Sequence, residues 1–338
     1  MTELDWQNSE PIEEIVHVRE WGTDFAYALR GEQLTLGTEA TCDIRVRDPY
    51  GFTSRLHAHL ARDGDAWWLR DAGSKNGVWL DGVRKQETRL AAGMELGIGS
   101  LRFVVESPRW IALRALMARW VGFGYAALVE VDRALVRVRA YARRRAPLVL
   151  SGEGDLGALV RQIHERTGGG PFVRADPRKP ASVENAPELR AALDAARGGT
   201  LCVWAERPPD GFGAWRERMF EPAADVRLAI CARPVDDVTR ILAEPIAIPP
   251  LAERGAELEG VIDGYIEDAR AALRATVIPD PRDRAWIRRY ADRSLPQIER
   301  AALRLVALRE AGGVTRAAAR LGISHVALSR WLARRHRP

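Results

Sequence analysis

Hydrophobic and polar residues alternate in short runs over the first third of the chain. IVHVRE, FAYALR, QLTLG, CDIRVRD, HAHLARD, AWWLRDA, GVWLDG, MELGIG and LRFVVES follow one another within residues 12–107. Successive side chains on a strand point to opposite faces, so this alternation predicts strands with one buried face. Many short strands at regular spacing, separated by turns, predict a β-sandwich.

The pattern then lengthens. Residues 108–130 read as a linker helix followed by a short apolar segment, and a helix, strand, loop, helix and strand come next. The stretch from Pro147 to Val160, PLVLSGEGDLGALV, is a buried strand, a glycine-rich turn and a helix start. A further strand begins at Pro171-Phe172-Val173, and alternating strands and helices imply a parallel α/β sheet. From Asp280 the chain is helical by pattern, with Ile298, Ala302, Leu305 and Leu308 at three- and four-residue spacing. Pro296 suits a first helical turn, and Gly312-Gly313 stop that helix. Two short helices follow, over Val314–Leu321 and from Ser324, with Gly322-Ile323 between them. That is the pattern of a helix-turn-helix. Ala318 and Ala319 are small where the two would cross, Leu321, Ile323, Leu328 and Leu332 would share a core, and Ser324 would cap the second helix.

At 338 residues the chain accommodates two or three domains, and a hydrophobic fraction of 46% allows a sizeable core. The net charge of +5 is carried by arginine, since Lys75, Lys85 and Lys179 are the only lysines. Between Arg300 and Pro338 stand nine arginines and one acid, Glu310. That local excess suits a polyanion, of which nucleic acid is the commonest. Cys42, Cys202 and Cys231 fall in no paired spacing, so no disulfide framework and no metal site is expected. The acidic, polar start, MTELDWQNSEPIEE, is unlike a signal peptide. The most apolar run, Trp120 to Val129, is too short for the roughly 20 residues a membrane helix takes. A cytoplasmic protein is expected.

The glycine-rich turn has the form of a phosphate loop without its cation. Gly152 and Gly157 keep the spacing of G-x-x-x-x-G-K-[ST], but Ala158 stands in the lysine position and Leu159 in that of the hydroxyl. Asp155 adds a negative charge inside what would be an anion cradle.

Three resemblances organise these observations. Ser54-Arg55-Leu56-His57, then Gly73-Ser74-Lys75-Asn76-Gly77, then Leu90 to Gly99 as L-x-x-G-x-x-L-x-I-G resemble the forkhead-associated (FHA) domain, over roughly Ile15 to Ser107. The resemblance implies recognition of a phosphothreonine peptide by loops at one end of the sandwich. Ser54 and Arg55 would contact the phosphate, Lys75 would lie beside it, Asn76 would hold the peptide backbone, and His57 would brace the loop from inside. Where most of the family has Gly-Arg after the third strand, this chain has Gly37-Thr38, so Thr38 replaces one of two phosphate arginines.

Residues 131–275 resemble the central AAA+ domain of sigma-54-dependent activators. Gly152-Glu153, Ile163-His164-Glu165, Pro171-Phe172-Val173, Gly198-Gly199-Thr200-Leu201, Val226–Ile230 and Ile248–Arg254 carry the likeness in order. The departures decide what this implies. Trp204 and Ala205 stand where the family has the two acids that hold magnesium and polarise water, with Glu206 one residue out of register. No trace of the sigma-54-gripping loop appears, and Arg240 alone keeps an arginine-finger place. The domain is therefore expected to be a pseudo-ATPase with no catalytic residues and no cofactor. The end of the chain resembles the Fis-type DNA reader of the same activators through Thr315, Ala318, Leu321-Gly322-Ile323-Ser324 and Leu328. Thr315, Ser324, His325, Ser329, Arg330 and Arg334 are the expected DNA contacts, made as a homodimer on double-stranded DNA.

The expected fold is thus multidomain. An all-β FHA sandwich spans 12–107, a linker helix 108–130, an α/β degenerate AAA+ domain 131–280 and an all-α C-terminal helix-turn-helix 281–338. The expected function is transcription regulation governed by a phosphothreonine partner, without ATP hydrolysis and independent of sigma-54. Two other readings stay open: an ATP-driven sigma-54 activator, and a phospho-dependent signalling adaptor with a vestigial DNA end.

Overall fold

The computed structural model describes residues 13–143, 146–217, 225–233, 243–255, 257–291 and 294–334. Arg240 and the acidic first 12 residues lie outside them. The chain divides into two compact units, one of residues 1–118 with 124–139, the other of 119–123 with 140–338.

The alternating runs of the first unit form two sheets. One is six-stranded in the order β2 (Ala26–Ala28), β1 (His17–Glu20), β11 (Leu101–Glu106), β10 (Glu95–Ile98), β7 (Val78–Leu80) and β8 (Val83–Lys85). The other is five-stranded in the order β4 (Ile44–Arg45), β3 (Gln33–Gly37), β5 (Ala58–Asp63), β6 (Ala66–Asp71) and β9 (Glu87–Arg89). Leu60 faces Leu69 across β5 and β6, and Leu96 faces Phe103 across β10 and β11. These residues, with Val18, Leu36, Trp67, Ile98 and Val105, fill one continuous apolar core.

Most of helix α1 (Pro108–Val121) and most of α2 (Tyr125–Ala142) belong to this unit, and a buried charge cluster ties α2 to it. Arg19 of β1 is 2% exposed, and its Nε donates to Glu106 Oε1 at 2.7 Å. Its Nη2 donates to Asp132 Oδ1 of α2 at 2.6 Å. The Gly22 N–H donates to Asp132 Oδ2 at 2.7 Å. A charge taken from water is tolerated only when paired and hydrogen-bonded on all sides, and here both carboxylates and the guanidinium are so held.

In the second unit a parallel sheet runs in the order β13 (Phe172–Ala175), β14 (Thr200–Trp204), β15 (Arg227–Ala232), β12 (Leu148–Gly152) and β16 (Ile246–Ile248). Every residue of β15 is buried, as a strand covered on both faces requires. Helices α3 (Leu156–Thr167), α4 (Leu189–Ala195) and α5 (Phe212–Arg216) lie between its strands in sequence. Five more follow: α6 (Leu258–Leu273), α7 (Pro281–Ala291), α8 (Leu295–Ala311), α9 (Val314–Arg320) and α10 (His325–Ala333). Ile298, Ala302 and Leu305 are buried along α8, as their spacing predicts, and Gly312 ends that helix at φ 64°. None of the described helices is long and apolar enough to cross a membrane.

The sheet carries polar groups inside it. His164 Nδ1 lies 3.0 Å from Thr200 Oγ1, which lies 2.6 Å from the Tyr141 hydroxyl. Burial, then the charge of Arg227, lower the His164 pKa, with the Gly170 carbonyl bond working the other way. Cys202 and Cys231 are both fully buried, with Sγ atoms 3.9 Å apart. The neighbouring Cys202 sulfur and then burial raise the Cys231 pKa, which keeps it an unreactive thiol.

Two stability measurements check this architecture. Asp132→Ala leaves Arg19 half-paired in the interior and is expected to cost about 3–5 kcal/mol in urea unfolding. Glu87→Ala, which removes only the exposed Arg70 pair, leaves the midpoint nearly unchanged. The unfolded chain takes up a proton at His164 near pH ~6.5, and the folded chain resists it. The stabilisation is therefore present above that pH and lost as pH falls from there toward the lowered value. Between pH 7.5 and 5.5 wild type should lose more stability than His164→Gln, and parallel curves would refute the assignment.

Candidate functional site

The predicted phosphate-facing residues come together at one end of the sandwich. The turn after β3 places Thr38, the loop before β5 places Ser54 and Arg55, and the loop between β6 and β7 places Lys75 and Asn76. Each is tied to its neighbours. The N–H of Thr38 donates to the Ser54 carbonyl at 3.2 Å, and those of Glu39 and Cys42 anchor the same turn, Glu39 to the Arg55 carbonyl at 3.1 Å. The Lys75 N–H donates to Ser54 Oγ at 3.1 Å, which leaves the Ser54 hydroxyl proton free for an incoming anion. Asn76 Nδ2 donates to the Phe52 carbonyl at 2.6 Å, which leaves its Oδ1 as an acceptor for a peptide N–H.

His57 is the brace. It is fully buried, its Nδ1 accepts the Ser54 N–H at 3.0 Å, and its Nε2 sits 3.1 Å from the Gly77 carbonyl. An N–H donor at Nδ1 and a carbonyl at Nε2 fix the neutral tautomer with its proton on Nε2. One ring therefore joins the two loops that carry Ser54, Arg55, Lys75 and Asn76. Above it, the side chains of Arg55 and Lys75 are exposed and make no ion pair among the described residues.

Sequence reasoning passed over Asp48. Its carboxylate accepts from the N–H groups of Tyr50 and Thr53 at 2.9 and 2.7 Å, and from the hydroxyls of Thr53 and Ser100. Burial opposes its charge, but the Ser100 and Thr53 bonds outweigh that and hold its carboxyl well below the usual carboxylate range. It thereby fixes the loop that presents Ser54. The Asp-Pro turn signal at 48–49 was its one trace in the sequence.

Gly37 is there for space. A Cβ at this position would lie 1.9 Å from the Arg55 carbonyl oxygen.

The glycine-rich loop of the second unit is also assembled. Gly152 ends β12 at φ 146°, and a Cβ there would meet the Ile248 carbonyl at 2.2 Å. Asp155 Oδ1 accepts the Ala158 N–H at 3.1 Å, so the N-terminus of α3 is capped by the chain's own carboxylate. The Cβ position of Gly157 lies 3.9 Å from the Trp204 ring, which fills the space beside the loop. The guanidinium groups of Arg207 and Arg233 lie 5.2 and 5.0 Å from Trp204, and the Ala205 N–H is spent on Cys231. Glu206, one residue out of register, accepts the Arg233 N–H.

At the C-terminus α9 and α10 meet through Gly322 at φ 65°. Ser324 caps α10 by accepting the Ala327 N–H at 3.1 Å. Leu328 and Leu332 are buried with Ala307, Ala317 and Ala318, while Leu321 and Ile323 pack half-buried against them. Ala319, expected at the crossing, is exposed; Ala317 occupies the crossing with Ala318. The reason is helical phase, since adjacent positions turn 100° apart. Thr315, Ser324, His325, Arg330 and Arg334 are exposed, and the half-buried Ser329 hydroxyl lies 3.4 Å from His325 Nε2.

Residues 34–99 match the family model described as the FHA domain. Solved structures similar to the chain include an FHA domain studied for phosphothreonine-dependent interactions, 26% identical over 27% of this chain and 95% of its own, with a TM-score of 0.26. Another is the FhaA FHA domain complexed with the intracellular domain of Rv3910, 27% identical over 27% and 99%, with a TM-score of 0.26. A third is FHA-1 of Mycobacterium tuberculosis Rv1747, 28% identical over 28% and 97%, with a TM-score of 0.23. No curated protein matches the chain. The chain thus carries an FHA domain at these residues, beside an α/β region and a helical region.

Gly37→Ala is expected to cost about 1–3 kcal/mol, the range for an over-packed methyl. It should also weaken any phosphopeptide complex, because the clash lands on the Arg55 peptide unit. A variant with wild-type unfolding midpoint would show that the turn yields freely.

Proposed function

We propose that this protein is a DNA-binding transcription regulator that senses a phosphothreonine-containing partner through its FHA domain. It acts without ATP hydrolysis and independently of sigma-54, as a homodimer in the cytoplasm. The observation that carries the reading is the braced loop pair. The Ser54 hydroxyl, the Arg55 and Lys75 cations, which have no ion pair among the described residues, and the Asn76 amide share one exposed end of the sandwich. A phosphate dianion of charge about −1.5 to −2 takes charge-assisted bonds from such a set, and Asn76 reads the peptide beside it. Thr38 supplies no cation, so the phosphate rests on Arg55 and Lys75.

The DNA reading is supported by what α10 leaves outward. Arg330 and Arg334 are exposed and unpaired among the described residues, as is Arg316 on α9, while the helix's apolar side is committed to the core. A capped helix with arginine and histidine on its outer face fits a major groove, where arginine takes guanine bidentately. Loss of hydrolysis is supported at the loop, where Asp155 fills the helix N-terminus and Trp204 and Ala205 offer no metal ligand. Phosphoryl transfer is nearly all electrostatics and positioning, and these groups supply neither.

The test uses the full chain. A phosphothreonine peptide selected from a library binds at least 100-fold tighter than its unphosphorylated form, and Arg55→Ala removes the binding. A duplex from the protein's own upstream region shifts in a gel, and Arg330→Ala weakens that complex by roughly 1–3 kcal/mol. No ATP is turned over. A library without any phosphothreonine binder, a shift indifferent to DNA sequence, or measurable ATP turnover each overturns its part of the reading.

A further inference from the structure

Helix α10 turns a large apolar side chain outward. Val326 is 52% exposed, and it is the second residue of the helix. Leu328 and Leu332, which seat α10 on the core, are buried. At 100° per residue they point about 200° and 240° away from Val326 around the helix axis. Arg330, one turn on, stands about 40° from Val326, and Ala333, two turns on, about 20° to its other side. Val326 and Arg330 therefore occupy the middle of the outward face, followed by the small side chain of Ala333, and all three are exposed. His325 and Ser329 form the flank, with the Ser329 hydroxyl 3.4 Å from His325 Nε2.

Charge selects the partner of this face. From Ala311 to Pro338 there are six arginines and no acid. That excess matches a polyanion, and a DNA duplex is a polyanion that also offers an apolar feature to a helix in its groove. The major groove presents hydrogen-bond donors, hydrogen-bond acceptors and one apolar group, the C5-methyl of thymine. A valine pressed on a donor or acceptor edge strips it of water and returns no hydrogen bond. Against the thymine methyl no hydrogen bond is lost, and apolar surface is buried on both sides. A recognition helix brings its N-terminal residues to the base edges, which is where Val326 stands. The four residues from Val326 to Arg330 advance about 6 Å along the helix, and base pairs stack about 3.4 Å apart, so the two side chains reach bases at most about two pairs apart. We propose that Val326 reads a thymine through its C5-methyl, within about two base pairs of the guanine that Arg330 takes. The proposal rests on the reading of this protein as a DNA-binding regulator and gives that reading the chemistry of its half-site.

The full chain is used to select binding duplexes from a random pool. The enriched half-site is expected to hold a thymine within about two base pairs of a guanine. Each thymine is then replaced in turn by deoxyuridine, which removes the methyl group and keeps every hydrogen-bonding group. At one position the wild type should lose affinity by about fourfold, the worth of one buried methyl. Val326→Ser deletes both methyl groups of the side chain at similar helix propensity, and should bind the thymine and uracil duplexes alike. Val326→Thr keeps one methyl and should keep the preference for thymine. The replaced side chain is exposed, so both variants should melt with the wild type. A selected site with no thymine near the guanine, indifference to deoxyuridine at every position, or a preference that survives in Val326→Ser each overturns the proposal and leaves sequence-specific DNA binding standing. A pool from which no sequence is enriched overturns the DNA reading, and the proposal with it.

Discussion

The recognition end of the sandwich hangs on one buried imidazole. His57 has no exposed surface, and each of its ring nitrogens is committed to a different loop. The Ser54 N–H demands a lone pair at Nδ1, and the Gly77 carbonyl demands a proton at Nε2, so one tautomer alone satisfies both. The backbone anchors the first loop, through the Thr38 and Glu39 N–H groups on the Ser54 and Arg55 carbonyls, and the His57 ring ties that loop to the second. The functional side chains gain order without being spent. Ser54 gives up its backbone N–H to His57 and receives the Lys75 N–H on its hydroxyl oxygen, yet keeps a proton to donate. Asp48 does the same service one turn earlier, gathering the Thr53 and Ser100 hydroxyls and two backbone N–H groups around a carboxylate that stays ionised.

A comparable economy governs the charges. The chain carries 51 basic residues, nearly all arginine, and many of those in the described structure are held in ion pairs. Arg19 is locked between Glu106 and Asp132, Arg119 pairs with Asp268, Arg139 with Asp81, Arg284 with Asp263 and Arg309 with Asp283. Buried or half-buried pairs of this kind define geometry more than they add stability, since desolvation offsets much of the attraction. The cations without an ion pair among the described residues include Arg55, Lys75, Arg316, Arg330 and Arg334. Composition alone could not separate the two groups, because a pairing partner lies on average tens of residues away.

The same distance effect divides what was legible from what was not. Period-2 alternation marks strands because the cause is local, and the runs from IVHVRE to LRFVVES become the strands of the sandwich. The S-R-x-H and G-S-x-N-G spacings located Ser54, Arg55, Lys75 and Asn76, which the fold brings to one end. Arg19 stands in one of the alternating runs, and nothing local indicates that its partner lies 113 residues on, in a helix read as part of another domain. Asp48 was hidden because a carboxylate in a turn is ordinary until its four donors are seen. The Ala318-Ala319 pair was placed one position late because two adjacent small residues do not fix helical phase, and Ala317 settles it.

The glycine loop shows how a chain can satisfy a helix N-terminus from within. Gly152 cannot carry a side chain, because the Ile248 carbonyl stands 2.2 Å from where its Cβ would be, so the close packing of strand against loop requires glycine there. The rest is electrostatic. A helix N-terminus presents partial positive charge, and an anion there is stabilised whether it arrives with a ligand or belongs to the chain. Asp155 supplies it from within, through the Ala158 N–H, and the neighbouring space is taken by the Trp204 ring between two guanidinium groups. The loop is therefore satisfied when empty. A cradle built for ATP leaves its N–H groups waiting and gains on binding, whereas this one would have to give up an internal bond to admit a phosphate. That internal bond helps to hold the loop between β12 and α3 in place whether or not a ligand comes to it.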